Sequence, residues 1–348
     1  MDKQNGVLVA MSGGVDSTVA AQLLKAQGYH CEGGTMALHA GADGTDAEIA
    51  AHQIGIPFHL FDCKAEFTNQ VQKQFVEAYE AGKTPNPCVI CNRWLKFGKL
   101  LEEARKLGLS YIATGHYARI SQDETGRWQL RRGLDPSKDQ SYVLYSLTQD
   151  QLAHTLFPLG DLTKERAREI AEAGGMKNAH KHDSQDICFI PDGDYGKFIR
   201  EFTGKTYAPG DFVDEDGTVL GRHQGIIYYT IGQRRGLGVS GGRPLYVKEI
   251  RPEQNQVVLS ENAALFQRRV LAEDFNWLSI PQPTKPIRVK ARARYHHPEQ
   301  PGTVRVLEDG RVEMLFDQGQ RALCKGQALV LYDGDLVIGG GTIVEAGE

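Results

Sequence analysis

The sequence predicts an α/β N-terminal unit, a parallel sheet with helices on both faces, followed by two small, mainly antiparallel β units. Three observations carry this expectation. Up to about residue 120, apolar runs of strand length alternate with stretches of helical period. The first strand and helix are joined by a glycine turn, SGGVDS. After residue 205 the texture changes to short runs that alternate at period two and turn at Gly, Pro and Asp-Gly.

In chain order, GVLVAM is a buried strand, and TVAAQLLKAQGY is a helix whose Val19, Ala20, Leu23 and Leu24 fall on one face. A weaker strand spans Gly34 to Leu38, a helix runs through TDAEIAAHQIG to Gly55, and FHLFD is a strand. AEFTNQVQKQFVEAYEAG and CVICNRWLKFGKLLEEARKLG are helices, and YIATGH is a strand. The later runs GIIYYTIGQ, PLYVKEI, QVVLS, IRVKARARY, TVRVLEDGRVEMLFD and ALVLYDGDLVIGGGTIV are strands of the β units. The stretch from Phe266 to Pro286 lacks periodicity and is expected to be a break. The implied division is 1–200, the α/β unit; 201–268, a small central β unit; and 269–348, a barrel-like β unit.

The 348 residues, 41% apolar and 24% charged, have the composition of a globular protein large enough for two or three domains. No apolar run approaches the roughly 18 residues of a membrane helix. Six scattered cysteines suit free thiols in a reducing compartment, so the expected location is the cytoplasm, with no membrane partner. A net charge of -4 gives no global basic field, so a polyanion would have to be held by local patches.

The turn Ser12-Gly13-Gly14-Val15-Asp16-Ser17 sits where backbone N–H groups and a helix dipole converge on an anion. It is not a Walker turn: no Gly-Lys-Ser/Thr follows, and no lysine is available to reach a terminal phosphate. As an ordinary tight turn it would instead use Ser12 or Asp16 as an N-cap. In TPNPCVICNR, Cys88 and Cys91 lie at the start of a helix, whose dipole is expected to lower their thiol pKa values. The bland alternative makes Cys91 a small core residue beside Leu95. Zinc is poorly served, because no second Cys-x-x-Cys or nearby Cys-x-x-His completes a tetrahedral set. Cys188 lies in HDSQDICFIPDGDY, a loop dense in Asp and Ser.

SGGVDS after the first strand resembles the PP-loop of the ATP pyrophosphatases. TPNPCVICNRWLKF, ATGHYARI, LDPSKDQSYVLY, DSQDICFIPDGDY and GIIYYTIGQRRGLG together resemble the tRNA-specific 2-thiouridylases over nearly the whole chain. The resemblance implies ATP with Mg2+ as cofactor, the anticodon stem-loop of tRNA as substrate, and a persulfide donor protein as partner. It implies ATP contacts at Ala10, Met11, Ser12, Gly13, Gly14, Val15, Asp16, Ser17, Met36 and Gly115. It makes Cys91 the nucleophile and Cys188 the persulfide carrier. Asn86, Pro87 and Cys88 match the residues that frame the target base, and His116, Lys138, Asp139, Gln140, Arg294, Tyr295 and Gln327 match tRNA contacts. The implied reaction adenylates O2 of the wobble uridine, position 34, then replaces that oxygen with sulfur, leaving a disulfide between Cys91 and Cys188.

Cys88 stands where many relatives have Asp. Cys88, Cys91 and Cys188 would then also be three thiolate ligands for a [4Fe–4S] cluster, as an alternative sulfur route or in a non-catalytic carrier. An amidating synthetase built on the same turn would leave the cysteines without a role. In KPIRVKARARY, the cations Arg288, Lys290, Arg292 and Arg294 alternate with apolar residues and are expected to share one strand face as a phosphate-tracking stripe; the plain alternative is a solvated sheet face. Tyr295 would stack on a base. Arg234 and Arg235 of GQRRG are further RNA-facing candidates.

Overall fold

A computed structural model of the chain describes residues 6–39, 43–176, 187–239 and 242–347. Strand β1 (Val7–Ala10) leads through the glycine turn into α1 (Val15–Ala26), followed by β2 (Cys31–Ala37), α2 (Thr45–Ile54) and β3 (Phe58–Asp62). Gly55 closes α2 at φ 72°, a conformation that glycine adopts without steric cost. Helix α3 covers 64–80 and α4 covers 87–106, each with a central π-helical turn. Then come β4 (Tyr111–Ala113), the hairpin β5 (Ala118–Gln122) and β6 (Trp128–Arg132), α5 (Gln149–Ala153), β7 (Thr155–Leu156), α6 (Lys164–Ala173) and α7 (Tyr195–Thr203).

Five of these strands form a parallel sheet in the order β3-β2-β1-β4-β7. Because β1 is central and its neighbours β2 and β4 are reached in opposite directions, the carboxyl end of β1 is a topological switch point, where such sheets open a crevice. The expected α/β unit is therefore present, and its glycine turn sits at that crevice.

The second half contains β8 (Gly210–Val213), β9 (Val219–His223), β10 (Tyr246–Arg251) and β11 (Gln256–Ser260), in a small sheet ordered β10-β11-β8-β9. It is antiparallel except for the β11–β8 pair. The final strands are β12 (Phe266–Asn276), β13 (Ile287–Arg292), β14 (Gln300–Val306), β15 (Val312–Arg321), β16 (Ala328–Asp333) and β17 (Leu336–Gly347). Strand β12 pairs with both β15 and β17, which closes these strands into a barrel.

Two expectations are corrected. GIIYYTIGQ is not a strand, since Ile226–Tyr228 forms a short 3-10 helix. The stretch from Phe266 is not a break but begins an 11-residue strand. Its pairing shifts register between Gln267 and Arg269, Leu271 and Ala272, and Glu273 and Asn276, and Asp274 takes φ 47°. Val270, Leu271 and Ala272 are buried in succession, so no alternation of buried and exposed residues survives there. The hairpin β5–β6, for which the sequence carries no expectation, does not belong to the parallel sheet. It extends the barrel sheet through β17, with Leu336 opposite Arg131 and the Arg132 N–H donating to the Asp335 carbonyl at 2.8 Å.

One apolar core joins the halves. Leu8 and Ile112 of the parallel sheet, Phe97, Leu100 and Leu101 of α4, Tyr142, and Val330 and Tyr332 of the barrel belong to a single buried cluster. No helix among the described residues is long and apolar enough to cross a membrane.

Candidate active site

The glycine turn is built to leave donors open. Gly13 takes φ 70°, and a Cβ there would fall 2.4 Å from Asp46 Cβ, so only glycine lets α2 approach. Gly14, not Ser12 or Asp16, is the N-cap of α1, and no side chain caps the helix. Ser17 Oγ donates to the Gly14 carbonyl at 3.1 Å and accepts from Ser12 N–H at 3.1 Å, while Ser12 Oγ accepts from Gly14 N–H at 3.4 Å. The hydroxyls thus brace the turn while the first-turn N–H groups lack a side-chain acceptor, as an incoming anion requires.

Gly115 abuts the turn: a Cβ there would sit 2.7 Å from the Asp16 carbonyl carbon. Met11, at the end of β1, is buried and donates its N–H to Gly34 at 2.9 Å. Ala10 and Met36, on the neighbouring strands β1 and β2, are only partly buried at the same crevice. All ten positions expected to contact ATP therefore lie on β1, the turn, the start of α1, β2, or the segment after β4.

One residue of this corner was not found by sequence reasoning. Lys164, at the first position of α6, places Nζ 2.8 Å from both carboxylate oxygens of Asp16, and its side chain is only 7% exposed. Tyr117 Oη also donates to Asp16 Oδ1, at 2.8 Å. The absence of a lysine next to the turn in sequence does not hold in space; 148 residues separate the pair, and no local spacing marks it.

The two-cysteine segment starts α4. Asn86 is its N-cap, with Oδ1 accepting from Cys88 N–H at 3.2 Å, and Pro87 takes the first helical position. Cys91 is buried with Phe67, Val71 and Leu95, and Phe189 packs on the same cluster. Phe189 also meets Phe67 and Phe75 edge-on, at 5.4 and 5.5 Å between ring centroids. This anchoring brings the adjacent Cys188 to the Cys91 end of α4; Asp183 to Asp186 lie outside the described residues.

Burial pushes the Cys91 thiol up to about 12, with Lys96 opposing and the thiols of Cys188 and Cys88 reinforcing the rise. Cys88 and Cys188 retain exposed surface, but protein crowding their thiols raises both, again against Lys96. The helix-dipole expectation of lowered thiol pKa values is thus corrected, because desolvation of the thiolate outweighs the dipole. Among the described residues no group of three or more His, Cys, Asp or Glu is placed to hold a metal ion. The iron–sulfur expectation for Cys88, Cys91 and Cys188 is therefore not retained.

The barrel holds the segment before α4. Gln327 Nε2 donates to the Thr84 carbonyl at 2.8 Å, and Thr84 N–H donates to Lys325 at 2.8 Å. Asn86 then lines a cleft of about 540 Å³ between α3, α4 and the barrel, with Arg93, Trp94 and Tyr145. Gln140 is bonded twice to Tyr117 through backbone N–H and Oε1, and Tyr295 Oη donates to the Asp139 carbonyl at 3.4 Å. Gln327 thus meets the segment that leads into Asn86 to Cys88, and Tyr295 meets the 138–140 run. Lys138 is only partly buried, but Asp139 is buried, accepts from the N–H groups of Gly133 and Ser141, and forms an ion pair with Arg292 at 3.6 Å, which makes it a bracket beneath the surface. His116 is also buried, with Nδ1 2.7 Å from Thr114 Oγ1; desolvation, and then Lys96, hold its pKa well below 6.5, so it is a neutral imidazole.

The cationic stripe is corrected. Val289, Ala291 and Ala293 point inward as expected, and Arg288 and Lys290 are exposed. Arg292, however, is 16% exposed, pairs with Glu299 at 3.4 Å, and stacks on Tyr332. Arg294 lies beyond the strand and donates to the Ile231 carbonyl at 3.0 Å and to Cys324 Sγ. The face is polar, but its far end is covered by other parts of the chain. Arg234 and Arg235 do expose their side chains.

Sequence comparison agrees with this arrangement along the whole chain. Residues 5–192 match the family model described as the tRNA methyl transferase HUP domain, 196–261 its PRC-barrel domain, and 267–343 the aminomethyltransferase beta-barrel domain. The tRNA-specific 2-thiouridylase MnmA of Clostridioides difficile is 46% identical over 97% of both chains. The chain belongs to the tRNA-specific 2-thiouridylase family. A second such thiouridylase, of Caldanaerobacter subterraneus, is 48% identical over 99% of both chains, and that of Lachnoclostridium phytofermentans is 46% identical over 97% of this chain and 99% of its own. The thiouridylase likeness therefore spans the glycine turn, both cysteine segments and the barrel alike.

Proposed function

We propose that this chain is the ATP-dependent enzyme that thiolates C2 of the wobble uridine, position 34, of tRNA. The observation that carries the mechanism is the shared cluster of Cys91 and Phe189, which holds the Cys188 segment against the start of α4. The glycine turn and crevice residues bind ATP as its Mg2+ complex, and uridine O2 attacks the α-phosphorus with loss of pyrophosphate. The terminal sulfur of a Cys188 persulfide, loaded by a donor protein through the exposed face of Cys188, then attacks C2 and displaces AMP. The Cys91 thiolate attacks Cys188 Sγ, the S–S bond to the substrate sulfur breaks with its electron pair, and 2-thiouridine leaves a Cys91–Cys188 disulfide. An external thiol reduces that disulfide before the next cycle.

In this reading Asn86, Pro87 and Cys88 frame the base, and Gln327 fixes the segment that carries them. Neutral His116 and the Tyr295 corner line the approach, while Lys138 and the exposed arginines meet the anticodon stem-loop. Residues 1–200, 201–268 and 269–348 divide the labour, with the hairpin β5–β6 tying the first unit to the last.

Cys188→Ser tests the proposal. With unmodified tRNA and a persulfide donor it should lose thiolation while retaining tRNA-stimulated release of pyrophosphate. Persisting thiolation removes Cys188 from the sulfur path, and loss of pyrophosphate release as well would mean that the two steps are not separable as described.

A further inference from the structure

The reading above gives Lys164 no part, yet its position demands one. Taking an ammonium group out of water is costly, and a well-packed apolar side chain at the same place is often more stabilising. The structure nevertheless seats Lys164 with its side chain 7% exposed. It is held from three directions: Thr163 caps α6 by accepting from Arg166 N–H at 3.2 Å, the Lys164 N–H donates to Asp135 Oδ2 at 3.1 Å, and Nζ grips both oxygens of Asp16 at 2.8 Å. Tyr117 adds a hydrogen bond to the same carboxylate. Asp16 lies in the first turn of α1, beside the N–H groups of the phosphate turn. A carboxylate there repels a triphosphate unless a cation is fixed next to it.

We infer that Lys164 is a catalytic residue of the adenylation step, donating from Nζ to non-bridging oxygens of the ATP phosphates that leave as pyrophosphate, with Asp16 as its positioning residue. The inference rests on the ATP-dependent reading above and assigns a residue to it. As uridine O2 bonds to the α-phosphorus, the bond from that phosphorus to the bridging oxygen breaks and its electron pair passes to pyrophosphate. Lys164 remains protonated throughout and stabilises the charge that builds on the leaving group. An ammonium with three donors contacts the phosphates without abandoning Asp16 altogether.

The test measures binding of inorganic pyrophosphate and ATP by calorimetry, alongside AMP formation with saturating tRNA. Lys164→Gln should weaken pyrophosphate binding about 10- to 100-fold, the range for losing a hydrogen bond to a charged group. AMP formation should fall with it, while tRNA binding stays intact and Lys164→Arg recovers part of the loss. Unchanged pyrophosphate affinity in Lys164→Gln overturns the inference. So does a double variant, Asp16→Asn with Lys164→Gln, that regains wild-type affinity, because Lys164 would then serve only to neutralise Asp16. Should Lys164→Gln fold poorly, Lys164→Met, which keeps the chain length and suits the buried site, takes its place, and unchanged pyrophosphate affinity in that variant overturns the inference. If the wild type binds neither ATP nor pyrophosphate, the ATP-dependent reading itself fails, a result distinct from all of these.

Discussion

Cys91 sits among Phe67, Val71 and Leu95 at the start of α4, and its surroundings keep it a thiol until chemistry requires otherwise. Burial raises its pKa from 9.0 to about 12, and the neighbouring ammonium of Lys96 offsets only part of this. Since the thiolate is the reactive form, alkylation of Cys91 in the free enzyme should climb about tenfold per pH unit from about pH 7 to pH 10 without a plateau. Peptide mass spectrometry after a timed iodoacetamide pulse measures this, and a plateau below about pH 9 would contradict the burial account. The stability consequence has a definite sign. Above 9.0 the unfolded chain loses this proton while the folded one keeps it, so the contribution of Cys91 to stability is complete below 9.0 and is lost as pH rises toward about 12. A buried thiol of this kind suits an attacking group that is released only when substrate and persulfide are in place.

At the scale of elements, α4 connects sequence to chemistry most directly, because its cap, Asn86, and Cys91, the nucleophile proposed above, are five residues apart. Asn86→Ala removes the acceptor for Cys88 N–H and should cost about 1 kcal/mol in a thermal or denaturant melt, whereas Asn86→Ser should retain most of that. An alanine variant as stable as the wild type would show that the barrel, through Gln327 and Thr84, fixes this segment without the cap. This element was legible in the sequence because its signals are local: Asn-Pro before an amphipathic run, and strand-turn-helix around SGGVDS. What was not legible depends on distant partners. Strand β12 buries Val270, Leu271 and Ala272 in succession and so shows no alternation, and β5–β6 chose a barrel edge more than 200 residues away, with Arg131 Nη1 meeting Asp335 at 2.7 Å. Lys164 reaches Asp16 across 148 residues, and only the parallel sheet and the start of α6 define that meeting. The period-two pattern of Arg288 to Arg294 marks a polar face, but it cannot say which end of that face other elements cover.

For the whole molecule, that last distinction decides how tRNA can be held by a chain of net charge -4. The cations that reach solvent along the central unit and barrel include Arg234, Arg235 and Lys290, whereas Arg292 belongs to an internal network with Asp139, Glu299 and Tyr332. The two classes should respond oppositely to charge reversal. Changing Arg234, Arg235 and Lys290 together to Glu should leave the melting temperature near that of the wild type and weaken tRNA binding; each phosphate that is no longer neutralised should lower the slope of log affinity against log salt by about 1. Arg292→Glu should instead lower the melting temperature first, because it places a carboxylate against Asp139 and Glu299, where breaking one partner of a buried pair costs about 3–5 kcal/mol. Filter binding over a salt series, paired with melts of the same variants, separates the outcomes. A normal salt slope in the triple variant would move the RNA-binding surface away from these loops, and a stable Arg292→Glu protein with a flattened slope would restore the original stripe. The network around Arg292 also joins the Asp139 bracket to the barrel, so a protein that survives the surface changes keeps that corner intact.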